Sequence, residues 1–379
     1  MAFSGMTRRK FLQMVGQGTA ITTVSGAYKV LNTLIGVSSA NATECNEDCI
    51  IYDGNNAGTV GTTIFHPANE NIVYDWFSYV PSSIKKEEKS YVLVYSTGGL
   101  SDYNQNTEAI KSVTLFLQER AELHKFILLL PSIPNSPDEP YIYTIAMDKR
   151  VFYDTTDEFR KRPDIKVNQM IDSLTNDLTK VGYDVHEKVF FEGFSAGGMF
   201  VQRYTLLHPE RVQAIGGGQC GGFLTLPVST YQGTVLDWAI GVNDFESLVG
   251  YDFNQEVYKQ VPQLIYIGDQ DIGDEYNHHS HFLYPNPEGF WTQEQIDFIN
   301  NIFGDTDPVR VENECKYLKD LGYNVKFNLY LGYDHGIMPW STPEIYDDVF
   351  AFHDSHKESS HKVEDKKTLP FLPLLLFEK

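Results

Sequence analysis

Short, nearly continuous apolar runs recur along this chain and constrain its fold more than any other feature. They lie at residues 91–95, 126–130, 189–191, 264–267 and 327–331. Runs of this length are typical of strands buried on both faces, as in a parallel sheet. Helix-like segments separate them at 107–123, 167–181, 199–207 and 292–303. Strands that alternate with helices predict an α/β fold with a mostly parallel, doubly wound sheet flanked by helices. Residues 72–80 alternate apolar and polar side chains, which predicts an exposed strand.

The first 42 residues have the pattern of an export signal. Arg8 and Arg9 precede a moderately apolar stretch, and the segment ends in Ala40-Asn41-Ala42. Paired arginines, an apolar region and a small-x-small end are typical of a twin-arginine signal that is cleaved after Ala42. An amphipathic helix or a membrane anchor is the alternative, although Lys29 interrupts the apolar run. We therefore expect a secreted or periplasmic protein that meets the Tat translocase during export.

The charge of the chain argues against two classes of partner. The whole sequence has 30 basic and 51 acidic residues, a net charge of −21. Removal of residues 1–42 would take away four basic residues and no acidic ones, which makes the net charge more negative, at about −25. A surface this acidic repels nucleic acid and anionic lipid. We expect neither partner.

Four cysteines occur, and their pairing stays open. Cys45 and Cys49 lie close together near the expected mature N-terminus, whereas Cys220 and Cys315 are far apart. An exported chain permits disulfides, and four cysteines allow three pairings. A Cys-x₃-Cys pair alone does not indicate zinc, and the sequence indicates no cofactor.

One motif carries the clearest chemical signal. Residues 189–200 read VFFEGFSAGGMF, in which Gly193 and Gly197 bracket Ser195 at Gly-x-Ser-x-Gly spacing. A predicted strand precedes the motif and a predicted helix follows it. In such a turn the serine hydroxyl stands at the carboxyl edge of the sheet beside a helix N-terminus, where negative charge is favoured. The pattern predicts a nucleophilic serine rather than an idle one in a glycine-rich turn.

A serine nucleophile needs a base and an acid, and later strand ends offer both. Asp269, Asp271 and Asp274 follow the strand that ends at Gly268, and His335 follows the next apolar run. The chain order serine, acid, histidine is the order known for this kind of turn. We expect Asp271 to orient His335, with Asp269 serving the turn. Oxyanion donors are expected in the N–H of Ala196 and in the N–H of Gly99 or Leu100, in the glycine-containing loop after the first buried strand.

The motif GFSAGGMF, the following LHPERVQAIGGG, and the later GDQD and YDHG resemble the α/β-hydrolase superfamily. Within it the chain is similar to the polyhydroxybutyrate depolymerase and feruloyl esterase group over roughly residues 70–345. The resemblance implies an α/β-hydrolase fold, with Ser195, Asp271 and His335 as catalytic triad. The chain departs from the group at Thr97, where a histidine is common, and in having no linker and polymer-binding module after the hydrolase. Smaller soluble esters are therefore the expected substrates.

Two segments lie outside this pattern. Residues 277–291 form an insertion between the acid and histidine strands and contain His278, His279 and His281. We expect a wall of the substrate cleft there rather than a metal site. Residues 353–379 are expected to be a flexible tail whose apolar end is too short to cross a bilayer.

Together these patterns predict a signal peptide at 1–42, a hydrolase domain at 43–352 and a tail at 353–379. The predicted function is an exported serine esterase that forms an acyl-enzyme. The alternatives are a serine peptidase of the same fold and a non-catalytic, hydrolase-like binding protein.

Overall fold

A computed structural model describes residues 50–51, 58–98, 103–134, 144–153, 159–220, 223–272, 293–337 and 341–358. The strands are β1 (Ile50–Ile51), β2 (Thr63–His66), β3 (Trp76–Tyr79), β4 (Tyr91–Ser96), β5 (Phe126–Pro131), β6 (Val189–Phe194), β7 (Val212–Gly218), β8 (Thr230–Tyr231), β9 (Thr234–Val235), β10 (Gln263–Gly268) and β11 (Val325–Tyr330). The α-helices are α1 (Tyr103–His124), α2 (Arg150–Tyr153), α3 (Pro163–Lys180), α4 (Ala196–Leu207), α5 (Phe245–Val249), α6 (Gln255–Gln260), α7 (Gln293–Phe303), α8 (Asp307–Asp320) and α9 (Pro343–Ser355). None of these helices has the length and apolarity that a membrane span requires.

The strands of the described residues form one large mixed sheet and a small hairpin of β8 and β9. The large sheet has the order β1-β2-β3-β5-β4-β6-β7-β10-β11. Strand β3 runs antiparallel to β2 and β5, and every other neighbouring pair in this sheet is parallel. The predicted mostly parallel sheet is therefore confirmed. Because β4, β6, β7, β10 and β11 share one direction, their carboxyl ends meet at one edge.

Helices cover both faces of the sheet. Along β4, Val92 and Val94 belong to the core that packs under α3, α4 and α8. Leu93 and Tyr95 belong to the core under α1 and α9. Adjacent residues of a strand point to opposite faces, so the strand is apolar throughout because both faces are buried. This is the doubly wound arrangement that the apolar runs predict.

Three sequence predictions need correction. The segment at 72–80 was expected to be an exposed strand, yet β3 is buried at all four positions because Trp76 packs in the core on one face of the sheet and Phe77 and Tyr79 pack in the core on the other. The run at 327–331 is not buried on both faces, because β11 is an edge strand: Leu329 within it is 38% exposed, and Leu331 directly after it is 74% exposed. The tail does not begin at His353, since α9 continues to Ser355 and buries His353 completely.

Several expected features lie partly or wholly outside the described residues. The signal at 1–42, the insertion at 277–291, Cys45, Cys49 and the chain beyond residue 358 are among them. Between the acid and histidine strands, the described residues form α7 and α8. Cys220 and Cys315 are buried free thiols in the same core.

Candidate active site

Ser195 lies in a sharp turn between β6 and α4. Its backbone has φ 56° and ψ −124°, outside the regions that non-glycine residues usually adopt. Strain of this kind is found at functional sites, where the surrounding structure has to hold the residue in place. Ser195 N–H donates to Gly218 O at 2.8 Å, and Ser195 O accepts from Met199 N–H at 3.0 Å. The turn is thus held by β7 on one side and by the first turn of α4 on the other.

The two glycines of the motif are required by close backbone approach. A Cβ atom on Gly193 would lie 2.2 Å from Gly197 O, and one on Gly197 would lie 2.1 Å from Ser96 O. Neither distance is compatible with a side chain. Strand β6, the start of α4 and the end of β4 can meet at Ser195 only because both positions are glycine.

His335 and Asp271 reach Ser195 from the neighbouring strand ends. Asp271 follows β10 and His335 follows β11, and these two strands are parallel neighbours. His335 Nε2 lies 3.0 Å from Ser195 Oγ. His335 Nδ1 lies 3.1 Å from Asp271 Oδ1 and 3.0 Å from Oδ2. The structure therefore brings together the three residues that the sequence singled out.

The chemistry of these contacts assigns the tautomer of His335. A carboxylate only accepts hydrogen bonds, so the proton on neutral His335 lies on Nδ1 and faces Asp271. Nε2 then carries the lone pair and accepts from the Ser195 hydroxyl. Asp271 is 2% exposed, so water does not compete for this contact.

The pKa of His335 is raised above its ordinary value of 6.5. Burial alone would lower it, but the charge of Asp271 and its hydrogen bond to the imidazole outweigh burial, with smaller contributions from Asp307 and Asp334. The site therefore stabilises the imidazolium form, which is the form a base reaches when it takes a proton.

The three aspartates after Gly268 have different places. Asp271 contacts His335, whereas Asp269 Oδ1 accepts from Gly332 N–H at 2.5 Å. Gly332 has φ 84° and lies in the turn after β11. Asp269 thus holds the loop that leads to His335, as expected of a turn residue. Asp274 lies outside the described residues.

The predicted oxyanion donors are described only in part. Ala196 is the first residue of α4, so its N–H has no acceptor within the helix. A Cβ atom on Gly98 would lie 3.9 Å from Ala196 Cβ, so the loop after β4 runs beside Ala196. Gly99 and Leu100 lie outside the described residues.

Sequence reasoning missed one contact of His335. Phe194, the residue between Gly193 and Ser195, packs its ring 5.2 Å from the imidazole of His335. Its position inside the serine motif was the available signal. His278, His279 and His281 lie outside the described residues. Among the described residues, no three His, Cys, Asp or Glu side chains are placed to hold a metal ion.

Comparison with solved structures identifies the fold of the chain. The poly(aspartic acid) hydrolase-1 of Sphingomonas sp. KT-1 superposes with a TM-score of 0.52 at 15% identity, over 76% of this chain and 96% of that one. The chain has the α/β-hydrolase fold. A poly(3-hydroxybutyrate) depolymerase of Bordetella parapertussis gives a TM-score of 0.49 at 17% identity, over 78% of this chain and 92% of the other.

An S-formylglutathione hydrolase of Agrobacterium tumefaciens gives 0.43 at 14% identity, over 78% and 94% of the two chains. No protein-family model and no curated protein sequence matches the chain. In the α/β-hydrolase fold of this chain, β6 and α4 form the turn at Ser195, and the loops after β10 and β11 supply Asp271 and His335.

Proposed function

We propose that this chain is a serine hydrolase that cleaves carboxylic esters through an acyl-enzyme intermediate. One observation carries the proposal. Ser195 Oγ lies 3.0 Å from His335 Nε2, while His335 Nδ1 lies 3.0 Å from the nearly fully buried Asp271. A hydroxyl beside a base that a carboxylate orients is the arrangement that makes serine nucleophilic. An idle serine would have no need of the strained backbone at this turn.

In the first half of the reaction, Ser195 Oγ attacks the carbonyl carbon of the ester. His335 Nε2 accepts the hydroxyl proton, and Asp271 stabilises the resulting imidazolium. The carbonyl oxygen becomes an oxyanion, for which the N–H of Ala196 and that of Gly99 or Leu100 are the proposed donors. When the bond to the alcohol oxygen breaks, His335 gives that oxygen its proton, and the acyl group remains on Ser195.

In the second half, water repeats the steps with the acyl-enzyme. His335 Nε2 takes a proton from the water as its oxygen attacks the acyl carbon. The bond between that carbon and Ser195 Oγ then breaks, and His335 returns the proton to Ser195. The carboxylic acid leaves, and the site regains its starting protonation state.

The proposal includes the cellular setting. We propose that residues 1–42 are a twin-arginine signal, that the catalytic domain extends from residue 43 through the end of α9 at Ser355, and that the protein acts in the periplasm or outside the cell. The net charge of −21 favours neutral or cationic ester substrates over anionic polymers by simple repulsion. Smaller soluble esters are the proposed class.

A matched substrate panel tests this function. The chain is assayed with p-nitrophenyl acetate, butyrate and octanoate, and with p-nitroanilides of the same acyl groups. Ester turnover that Ser195→Ala lowers by up to about 10⁶-fold in kcat supports the proposal. Comparable kcat/KM on the anilides would favour a peptidase instead. No turnover of either series would leave a non-catalytic binding protein.

A further inference from the structure

Gln219 occupies the position just past the carboxyl end of β7, between the candidate nucleophile and the candidate base. It is 1% exposed, and its backbone has φ 45°, which is a left-handed conformation. Such a conformation costs a non-glycine residue energy, whereas glycine adopts it freely. A large polar side chain at this position therefore needs a compensating role.

The contacts of Gln219 supply that role. Its side-chain Nε2 donates to the backbone oxygen of Asp334 at 2.6 Å, and Asp334 directly precedes His335. Because a carbonyl oxygen only accepts, the amide must present its NH₂ group here. The Gln219 backbone N–H donates to Tyr266 O at 2.8 Å, which ties the residue to β10.

The same strand end also holds the nucleophile. Gly218 O, one residue before Gln219, accepts the N–H of Ser195 at 2.8 Å. Gly218, the last residue of β7, therefore contacts the serine turn, and the next residue, Gln219, contacts the histidine loop. These two residues therefore help to fix the distance between Ser195 Oγ and His335 Nε2.

Other tethers hold the same loop at successive residues. Asp269 accepts from Gly332 N–H, and Gln270 N–H donates to Tyr333 O at 3.0 Å. Both contacts come from the loop after β10 that contains Asp271. The next residue of the histidine loop, Asp334, is held by Gln219 instead. On the far side of His335, Ser341 Oγ donates to Gly336 O at 2.8 Å. Gln219 is the member of this set that links the loop to the strand beside Ser195.

We infer that Gln219 is a positioning residue that holds His335 in line with Ser195 through the backbone of Asp334. This inference rests on the proposed function. It adds a residue that has no motif of its own in the sequence. The Gln219 side chain does not touch the reacting atoms, so its loss should lower kcat and leave KM almost unchanged.

Two substitutions separate this role from a merely structural one. Gln219→Met keeps the length of the side chain and removes the donor. Gln219→Gly also removes the donor but relieves the left-handed strain, so its unfolding midpoint should be close to that of the wild type. The matched control is Gln213→Met, which removes a similar bond, from Gln213 Nε2 to His356 O at 2.8 Å, near the other end of β7.

The first readout is steady-state ester hydrolysis. Both Gln219 variants should lose about 10- to 100-fold in kcat, as expected when a reacting group is displaced by up to about 1 Å. Their KM should stay within about threefold of the wild type, and Gln213→Met should keep wild-type kcat. Wild-type kcat in both Gln219 variants would overturn the inference while leaving the proposed function standing.

The second readout does not depend on activity. The imidazole pKa of His335 is measured by NMR, with the signal assigned by its loss in His335→Asn. Asp271, Asp307 and Asp334 are the charged groups that raise this pKa. In Gln219→Met the contact with Asp271 should loosen, so the pKa of His335 should fall. An unchanged pKa would overturn the inference even if the wild type hydrolysed no ester in the panel, and that inactivity by itself would refute only the proposed function.

Discussion

Two carboxylates near the strand end after Gly268 have separate tasks at the residue scale. Asp271 is buried and contacts Nδ1 of His335, the predicted base. Asp269 accepts a hydrogen bond from the backbone N–H of Gly332. An amide at position 271 could donate from its NH₂ group to His335 Nδ1, which would place the imidazole proton on Nε2, the wrong nitrogen for accepting from Ser195. An amide at position 269 still has an oxygen for the Gly332 N–H.

We therefore predict that Asp271→Asn lowers kcat by about 10⁴-fold, as replacement of a triad acid by its amide does, with little change in KM. Asp269→Asn and Asp274→Asn should cost far less. Steady-state kinetics of the three single variants checks this. If Asp269→Asn or Asp274→Asn were the crippling change, Asp271 would be misassigned.

The raised pKa of His335 predicts a pH dependence. His335 accepts a proton only in its neutral form, and its pKa lies above 6.5 because of Asp271 and despite burial. As pH falls through that pKa, the base becomes protonated and kcat/KM decreases. The acidic midpoint of the kcat/KM profile should thus lie above 6.5, and in Asp271→Asn it should move to lower pH. An acidic midpoint well below 6.5 in the wild type would show that His335 is not the base.

Strand β6 and helix α9 are joined beneath the site at the scale of secondary-structure elements. Glu192, three residues before Ser195, accepts from Tyr266 Oη at 2.7 Å and lies 3.2 Å from His353 Nε2, and both Glu192 and His353 are fully buried. Burial raises the pKa of Glu192 well above its usual value and lowers that of His353 to about 3. The pair is therefore held as two uncharged, hydrogen-bonded groups.

Two replacements of Glu192 should show whether its hydrogen bonds, and not a charge, stabilise the fold. Glu192→Gln keeps an acceptor for Tyr266 and a donor for His353, so the free energy of unfolding should change by less than about 1 kcal/mol. Glu192→Leu removes the buried partner of His353 Nε2 and one buried acceptor of Tyr266 Oη, and should cost about 1–3 kcal/mol per unsatisfied group. Urea unfolding with linear extrapolation measures both. Equal losses in the two variants would contradict the uncharged pair.

The same elements explain what the sequence could and could not predict. Strands β4, β5, β6 and β10 were predictable because burial on both faces makes most of their side chains apolar. Strand β7 was missed because it ends in three glycines. A Cβ atom on Gly216 would lie 1.8 Å from Glu192 Oε2, and one on Gly218 would lie 2.4 Å from the Tyr266 ring. Tertiary neighbours, which a single sequence does not display, require these residues.

The candidate site was more predictable than its supports. Ser195, Asp271 and His335 each follow a recognisable strand, and chain order alone suggested their roles. Gln219 and Glu192 carried no comparable signal, since their importance comes from contacts with residues far away in the chain. The sequence placed His353 in the flexible tail for the same reason. Its polar neighbours in the sequence face solvent, whereas His353 itself is buried between α9 and β6.

At the scale of the whole molecule, we predict that the protein is exported. It depends on Arg8 and Arg9 and on the segment that ends at Ala42. Because the twin-arginine route reads the paired arginines rather than charge alone, the double variant Arg8→Lys, Arg9→Lys should keep the precursor in the cytoplasm. Cell fractionation followed by immunoblotting checks this. Processed protein outside the cytoplasm in the double variant would contradict the proposed route.

The central claim is that Ser195 is activated by His335 and Asp271, and covalent labelling tests it most directly. The purified protein is treated with a fluorophosphonate probe, and the modified peptide is located by mass spectrometry. We predict one adduct, on Ser195, that is absent in Ser195→Ala and forms much more slowly in His335→Asn. An adduct on another residue, or labelling of Ser195 at an undiminished rate in His335→Asn, would contradict the account.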